Sequence, residues 1–209
     1  MTSLTPRTLR SASRQLAATD PVLGASVERF GPPPLWARDP SYATLVHLIL
    51  EQQVSLASAR AAFDRLVVVI GEPTPTGLLG LDDVQLHAIG FSRQKAGYAR
   101  DLAAALMDGF DLDALASLPD DAVRAELVRL HGIGRWTADV YLTMCLLRSD
   151  VWPHGDQALA TAAMEVADLR QRPTFAQLGE MAERWRPYRA VAARILWHHY
   201  LRARGLPVD

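Results

Sequence analysis

The sequence predicts an all-α protein, built as one compact core or as two small helical lobes sharing a cleft. Three observations carry this. Alanine, leucine and arginine dominate runs whose apolar positions recur at helical spacing rather than in alternation. Cap and turn residues fall at the ends of those runs. With 209 residues, 49% of them hydrophobic and 22% charged, the chain has ample material for a buried core.

Helices are expected over residues 5–18, 21–30, 41–52, 55–70, 82–89, 92–108, 112–117, 120–130, 135–148, 156–168, 174–184 and 187–203. Ser55 can cap the helix that follows Gln52-Gln53-Val54, Asp120 stands ahead of Asp121-Ala122-Val123, and Thr174 opens another. Pro187 suits a first turn, where a missing N–H costs little. Gly205 followed by Pro207 makes a C-terminal stop. Breaks fall at Gly31-Pro32-Pro33-Pro34 and Gly71-Glu72-Pro73-Thr74-Pro75. The best strand candidate, Val67-Val68-Val69-Ile70, closes an alanine-rich stretch and reads as a buried helix end. There is no internal repeat, and residues 1–209 read as a single core.

Composition excludes several classes of function. No apolar run approaches the roughly 20 residues that span a bilayer. The stretch Met1 to Arg10 lacks the apolar core of a secretory signal, so a cytoplasmic protein is expected, at the nucleoid if the source is a bacterium. A single cysteine, Cys145, rules out an internal disulfide framework and a four-cysteine iron–sulfur cluster. Packed among Leu142, Met144, Leu146 and Leu147, it reads as an inert thiol. Net charge is −1, so any case for nucleic acid must rest on a local site.

The informative segment is Leu127-Val128-Arg129-Leu130-His131-Gly132-Ile133-Gly134-Arg135-Trp136-Thr137-Ala138. One helix runs into Gly-Ile-Gly and a second starts at once. Two glycines permit positive φ and close backbone approach. The second helix presents unpaired N–H groups and a positive dipole end, which suit an anion such as phosphate. Contacts of that kind position a duplex without reading its sequence. Taken alone, the segment reads equally as a tight helix–helix turn. Downstream, Asp150-Val151-Trp152-Pro153-His154-Gly155-Asp156 places an aspartate at the head of a helix, where the bland role is an N-cap.

Together the two segments resemble the helix-hairpin-helix DNA glycosylases, and within them the DNA-3-methyladenine glycosylase II branch. Leu-x-Gly-Ile-Gly-Arg-Trp-Thr-Ala at 130–138 is similar to its hairpin, and Asp150-Val-Trp-Pro-x-Gly-Asp156 to its catalytic loop. The segment from Tyr42 to Ser55, ending Gln52-Gln53-Val54-Ser55, looks like the family's Gln-Gln-Val-Ser segment. Trp185-Arg-Pro-Tyr-Arg189 with Ile195-Leu-Trp197 looks like its C-terminal signature. The resemblance covers most of the chain beyond residue 20.

The resemblance implies an all-α core of two lobes around a cleft, with the hairpin at about 120–148, acting as a monomer on double-stranded DNA that carries damaged bases. It implies a flipped nucleotide and Asp156 as the catalytic carboxylate. Trp136 and Trp197 would cradle the base, and Gln53, beside Gln52, would fill the gap in the stack. Gly132, Gly134, Arg135 and Thr137 would meet the backbone. Main-chain carbonyls of Val128, Leu130 and Ile133 would hold a monovalent cation, Na+ or K+; no other cofactor is implied. Bifunctional relatives carry a Schiff-base lysine where this chain has Trp136, and the only lysine here is Lys95, well before the hairpin. Monofunctional hydrolysis of alkylated purines is therefore expected, without lyase activity. The alternative is a non-catalytic DNA-binding module that keeps the hairpin as a clamp.

Two positions depart from the family pattern. His131 replaces the usual proline before Gly-Ile-Gly, which should loosen the turn. Glu51 replaces a usual glycine, which should put a negative charge beside the wedge. His198-His199 point different ways on a helix and read as cleft or core residues rather than metal ligands. Arg184, Arg186, Arg189, Arg194, Arg202 and Arg204 read as a solvated face, some of it able to reach phosphates.

Overall fold

The computed structural model describes residues 3–208. Twelve α-helices occupy most of that span: α1 (Pro6–Thr19), α2 (Pro21–Phe30), α3 (Tyr42–Glu51), α4 (Leu56–Ile70), α5 (Pro75–Leu79), α6 (Asp83–Ile89), α7 (Arg93–Met107), α8 (Asp120–Val128), α9 (Arg135–Met144), α10 (Gln157–Val166), α11 (Phe175–Glu183) and α12 (Arg189–Ala203). A 3₁₀ turn at Asp113–Ser117 replaces the helix expected at 112–117. Among the described residues there is no strand, only an isolated bridge between Ser3 and Arg148.

The helices sort into two units. One is continuous, residues 38–141; the other joins residues 1–37 to 142–209. In the continuous unit α3 packs on α4 and α7, while α7 also takes α5 and α6. In the terminal unit α12 is central, packed by α1, α2, α10 and α11. Every residue of α12 from Ala190 to His199 is buried. A helix enclosed on all sides needs no polar face, which is why this one shows little amphipathic pattern. Its one buried charge, Arg194, is met by three carbonyls: Leu35 O at 2.9 Å, Ala190 O at 3.0 Å and Thr143 O at 2.6 Å. Burial alone pulls its pKa down to about 10, so it stays charged at neutral pH.

Side-chain caps explain most helix starts. Ser55 accepts from Ser58 N, and Thr174 forms a reciprocal capping box with Gln177, as expected. Asp120 does not cap α8. It is the first helical residue, Pro119 precedes it, and no side-chain cap forms there. The short α5 was not expected; Thr74 caps it from inside the presumed break, with Pro75 in the first turn. Pro187 lies outside α12, whose first turn is instead held by Asp150 Oδ1 accepting from Arg189 N and by Ser149 O accepting from Ala190 N.

Two further expectations are corrected. The helix at 135–148 stops at Met144, because Leu147 adopts a left-handed φ of 53° and Arg148 N bonds back to Leu142 O. The segment 67–70 is helical, as expected, but it is not buried: Val68 is 85% exposed and Val69 52%. The core face of α4 is Ala59, Ala62 and Leu66, so the valines that follow rotate outward.

Candidate functional site

In the continuous unit, α3 ends at a fixed point. Lys95 Nζ donates to Leu50 O at 2.7 Å, so the only lysine of the chain caps α3. Glu51 turns inward: its side chain is 6% exposed and pairs with Arg38 at 2.8 Å and His47 Nε2 at 3.6 Å. The negative charge expected beside the wedge is thus buried and partnered. Gln52 closes the helix, and its Nε2 donates to Gly132 O at 2.9 Å and Thr137 Oγ1 at 3.1 Å. Gln53 follows with a left-handed φ of 57° and an exposed side chain, and Val54, Ser55 and Leu56 are exposed beside it. Of the two glutamines, one ties the hairpin down and the other projects.

The hairpin joins α8 to α9. Leu130 N bonds to Leu127 O at 3.1 Å and Ile133 N to Leu130 O at 3.0 Å, while Ile133 anchors the turn at 3% exposure. The two glycines have different reasons. Gly132 has φ 87°, and a Cβ there would overlap the Tyr98 ring. Gly134 has no left-handed φ, and nothing lies within 4 Å of where its Cβ would be. Only one glycine is required by the turn; the other leaves a bare edge at the start of α9. His131 does not loosen the turn as expected, since its Nδ1 lies 2.6 Å from Asp101 Oδ2 and its ring meets Tyr98 edge-on at 4.8 Å.

Along α9, Arg135 is 64% exposed and its Nε stands 3.8 Å from Asp139 Oδ2, a loose pairing. Asp139 is fully buried and takes Arg124 Nε at 2.7 Å. Trp136 is partly exposed. Thr137, expected to meet DNA, is 1% exposed with its hydroxyl on Gln52. At that burial its hydroxyl is not offered to a phosphate.

In the terminal unit, the segment 150–156 is clamped at its start and at its end. Asp150 accepts from Arg189 Nε at 2.9 Å and from Arg186 Nη1 at 2.9 Å. Arg189 Nη2 also donates to Asp150 O at 2.8 Å. Trp152 packs against Trp185, centroids 5.5 Å apart. The Trp-Arg-Pro-x-Arg segment is therefore the clamp of the loop that ends in Asp156. Asp156 is the N-cap of α10, its Oδ1 accepting from Leu159 N at 2.8 Å, and it is 7% exposed. The cap fixes the carboxylate and sets it at the positive end of the helix dipole. Trp197 lies on α12, 8% exposed.

The other features resolve simply. His198 and His199 are buried; His198 meets Trp36 edge-on, and His199 contacts Ser26 Oγ at 3.2 Å. Burial lowers the pKa of both. Among the described residues no His, Cys, Asp and Glu cluster could hold a metal. Cys145 is buried, as expected. The supposed solvated arginine face is largely internal pairing: Arg184 with Asp20, Arg186 and Arg189 with Asp150 and Glu183, Arg204 with Glu165, and Arg194 in the core. Sequence reasoning missed the Asp150 clamp, the Lys95 cap and the Gln52 tie, whose partners lie far apart in the chain.

The family model of the HhH-GPD superfamily base excision DNA repair proteins matches residues 46–187, a span that holds both the hairpin and the Asp150–Asp156 loop. The chain belongs to this superfamily. The solved 3-methyladenine DNA glycosylase of Schizosaccharomyces pombe in complex with abasic DNA superposes with a TM-score of 0.83 at 27% identity, covering 90% of this chain and 95% of that one. A DNA-3-methyladenine glycosidase structure from Bacillus halodurans gives 0.73 at 26% identity, covering 99% and 96%. DNA-3-methyladenine glycosylase 2 of Escherichia coli is 30% identical over 169 residues, 73% of this chain and 55% of its own length. The chain also spans 64% of the length of a Bacillus subtilis relative that is 28% identical over 184 residues. Among the described residues no helix is long and apolar enough to cross a membrane.

Proposed function

We propose that this HhH-GPD protein is a monofunctional DNA N-glycosylase of base-excision repair that hydrolyses the N-glycosidic bond of alkylated purines of the 3-methyladenine type. The observation that carries the proposal is Asp156, a nearly buried carboxylate held by a helix cap at the end of a loop that two arginines clamp. A carboxylate so fixed stabilises developing positive charge without reorganising.

In the proposed reaction the duplex is gripped at the N-terminus of α9. The main-chain N–H groups there, the bare edge of Gly134, the turn at Gly132, exposed Arg135 and the Thr137 N–H all face phosphate. Gln53 enters the stack where the damaged nucleotide leaves it, and Gln52 keeps that loop in register with the hairpin. Trp136 and Trp197 stack on the everted base, and a cationic alkylpurine gains cation–π attraction of about 1–2 kcal/mol per face when desolvated. The C1′–N bond breaks with its electron pair leaving on the base. A cationic base thereby departs neutral, and no general acid is required. Asp156 stabilises the oxocarbenium-like sugar and orients water. The water oxygen bonds to C1′ and its proton passes to Asp156 or solvent.

The lysine supports hydrolysis over strand cleavage. Lys95 is committed to a main-chain carbonyl, and a tryptophan stands at the family's Schiff-base position. The carbonyls of Val128, Leu130 and Ile133 would hold a Na+ or K+ ion. They are neutral oxygen donors, and although Leu130 O already accepts from Ile133 N, a carbonyl keeps a second lone pair. The ion would offset carbonyl dipoles beside a phosphate.

Mass spectrometry of bases released from methylated genomic DNA tests the proposal. Free 3-methyladenine or 7-methylguanine is expected, with abasic strands left uncut. Absence of any released base across alkylated and deaminated substrates would reject it.

A further inference from the structure

Most arginines elsewhere in the terminal unit are engaged, with Arg170, Arg172 and Arg202 the exposed exceptions, but on α1 three unengaged arginines share one helix face. Arg7, Arg10 and Arg14 are exposed, and none carries an ion pair or a hydrogen bond among the described residues. They fall within about 60° of arc at 3.6 residues per turn. The opposite face, Leu9, Ala12, Ser13 and Leu16, is buried. α1 contains no acidic residue that could neutralise them. With Thr8 and Ser11 they line a surface groove of about 430 Å³. A protein of net charge −1 that pairs most of its arginines has left three together in a groove with the Ser11 hydroxyl, that of Thr8 being taken by the capping box with Thr5.

We infer that this groove on α1 is a second binding site for the phosphodiester backbone of duplex DNA, separate from the hairpin. The chemistry fits. Guanidinium forks bind phosphate oxygens bidentately, and the Ser11 hydroxyl can add one further bond. Arg7 to Arg14 spans about 10 Å at 1.5 Å per residue. That is roughly three phosphate-to-phosphate steps along one strand at about 3.4 Å of axial rise each. The position fits as well. The start of α1 is tied to the segment that leads into the Asp150–Asp156 loop, with Leu4 N on Leu147 O at 2.7 Å and Ser3 Oγ on Leu146 O at 3.4 Å. The arginine face is thereby anchored in the same unit as the proposed catalytic carboxylate. It contributes affinity but no base preference.

The inference rests on the glycosylase reading only in taking DNA as the partner, and the test separates the two. Binding of the full chain to abasic-analogue duplexes of about 10 and about 25 base pairs is measured from low to moderate salt. The variants are Arg7→Gln/Arg10→Gln/Arg14→Gln and the matching triple Lys substitution. Glutamine is a good helix former at exposed positions, so the melting temperature should hold. Wild type is expected to bind the longer duplex more tightly and with a steeper salt dependence. The Gln triple should lose that advantage, its slope against log salt falling by about 2–3 at roughly 0.9 per phosphate, while base release at saturating DNA stays within about twofold. The Lys triple should recover most of the slope. A Gln triple matching wild type on both duplexes overturns the inference and leaves the glycosylase reading standing. A wild type that binds neither duplex overturns both.

Discussion

The hairpin and the Asp150–Asp156 loop are both short connections ahead of a helix, yet they are held by opposite means. The hairpin is fixed mainly by uncharged groups, a glutamine amide on a carbonyl and a hydroxyl, a left-handed glycine and a buried isoleucine, with one carboxylate, Asp101, against His131. The loop is fixed by charge, with two arginines on one aspartate. The difference suits what each must do. A turn offering N–H groups to a phosphate gains from having no acidic residue of its own between Arg129 and Arg135 that would repel it. A loop presenting one carboxylate can use ion pairs because its clamp lies at the opposite end from the working group.

Breaking the charged clamp should have the largest effect on stability. Asp150→Ala removes a carboxylate shared by Arg186 and Arg189, the latter 16% exposed. Charge-assisted bonds of this kind are worth about 1.5–3 kcal/mol, or very roughly 5–10 °C in Tm for a chain of this size. Calorimetry should also find the wild-type advantage reduced by salt. An unchanged Tm would mean the clamp is ornamental.

Next comes the contrast between the hairpin glycines. Gly132→Ala must place a Cβ into the Tyr98 ring at φ 87° and should cost on the order of 1–3 kcal/mol. Gly134→Ala meets nothing and should leave Tm within about 1 °C. DNA affinity should nevertheless fall, because a methyl group would stand where a phosphate approaches. Equal melting penalties for the two variants would refute the division of labour between them.

Gln52→Ala should have a smaller effect on stability, about 1–2 kcal/mol for two neutral bonds, and unlike the Asp150 variant its penalty should be insensitive to salt. A penalty that shrinks in salt would argue that the amide is not what holds the turn.

Acid should erode the fold gradually. Burial lowers the pKa of His47, His198 and His199 below the ordinary 6.5. A group with a depressed folded pKa binds protons more readily when unfolded. Its stabilising contribution is therefore present above pH 6.5 and lost as pH falls through the folded values. Tm measured from pH 7.5 to pH 5 should decline, and His199→Gln should flatten the decline.

The sequence already disclosed the helices and the two informative loops, because both announce themselves locally. Glycine and aspartate at helix starts carry their reasons in the neighbouring residues, and Asp156 at the head of α10 was visible on those grounds alone. What stayed hidden depends on distant partners. Glu51 looked like a charge beside the wedge because Arg38, its closer partner, lies outside its helix, although His47 one turn back on α3 was within reach of inspection. Thr137 looked available until Gln52 took its hydroxyl. Val67–Val69 looked buried because composition suggested it, whereas helical phase turned them out. The C-terminal arginines looked solvated, yet carboxylates as far back in the chain as Asp20 occupy most of them.

The central claim is that the Asp156 carboxylate, not the scaffold around it, breaks the glycosidic bond. Asn is as good an N-cap as Asp, so Asp156→Asn keeps the cap on α10 while removing the charge. Single-turnover release of base from alkylated duplex DNA is the decisive measurement, with abasic-duplex binding and Tm recorded alongside. The account predicts a loss on the order of 10²–10³-fold or more in rate, with binding and Tm close to wild type. Release at the wild-type rate from a folded, DNA-bound Asp156→Asn protein would contradict it.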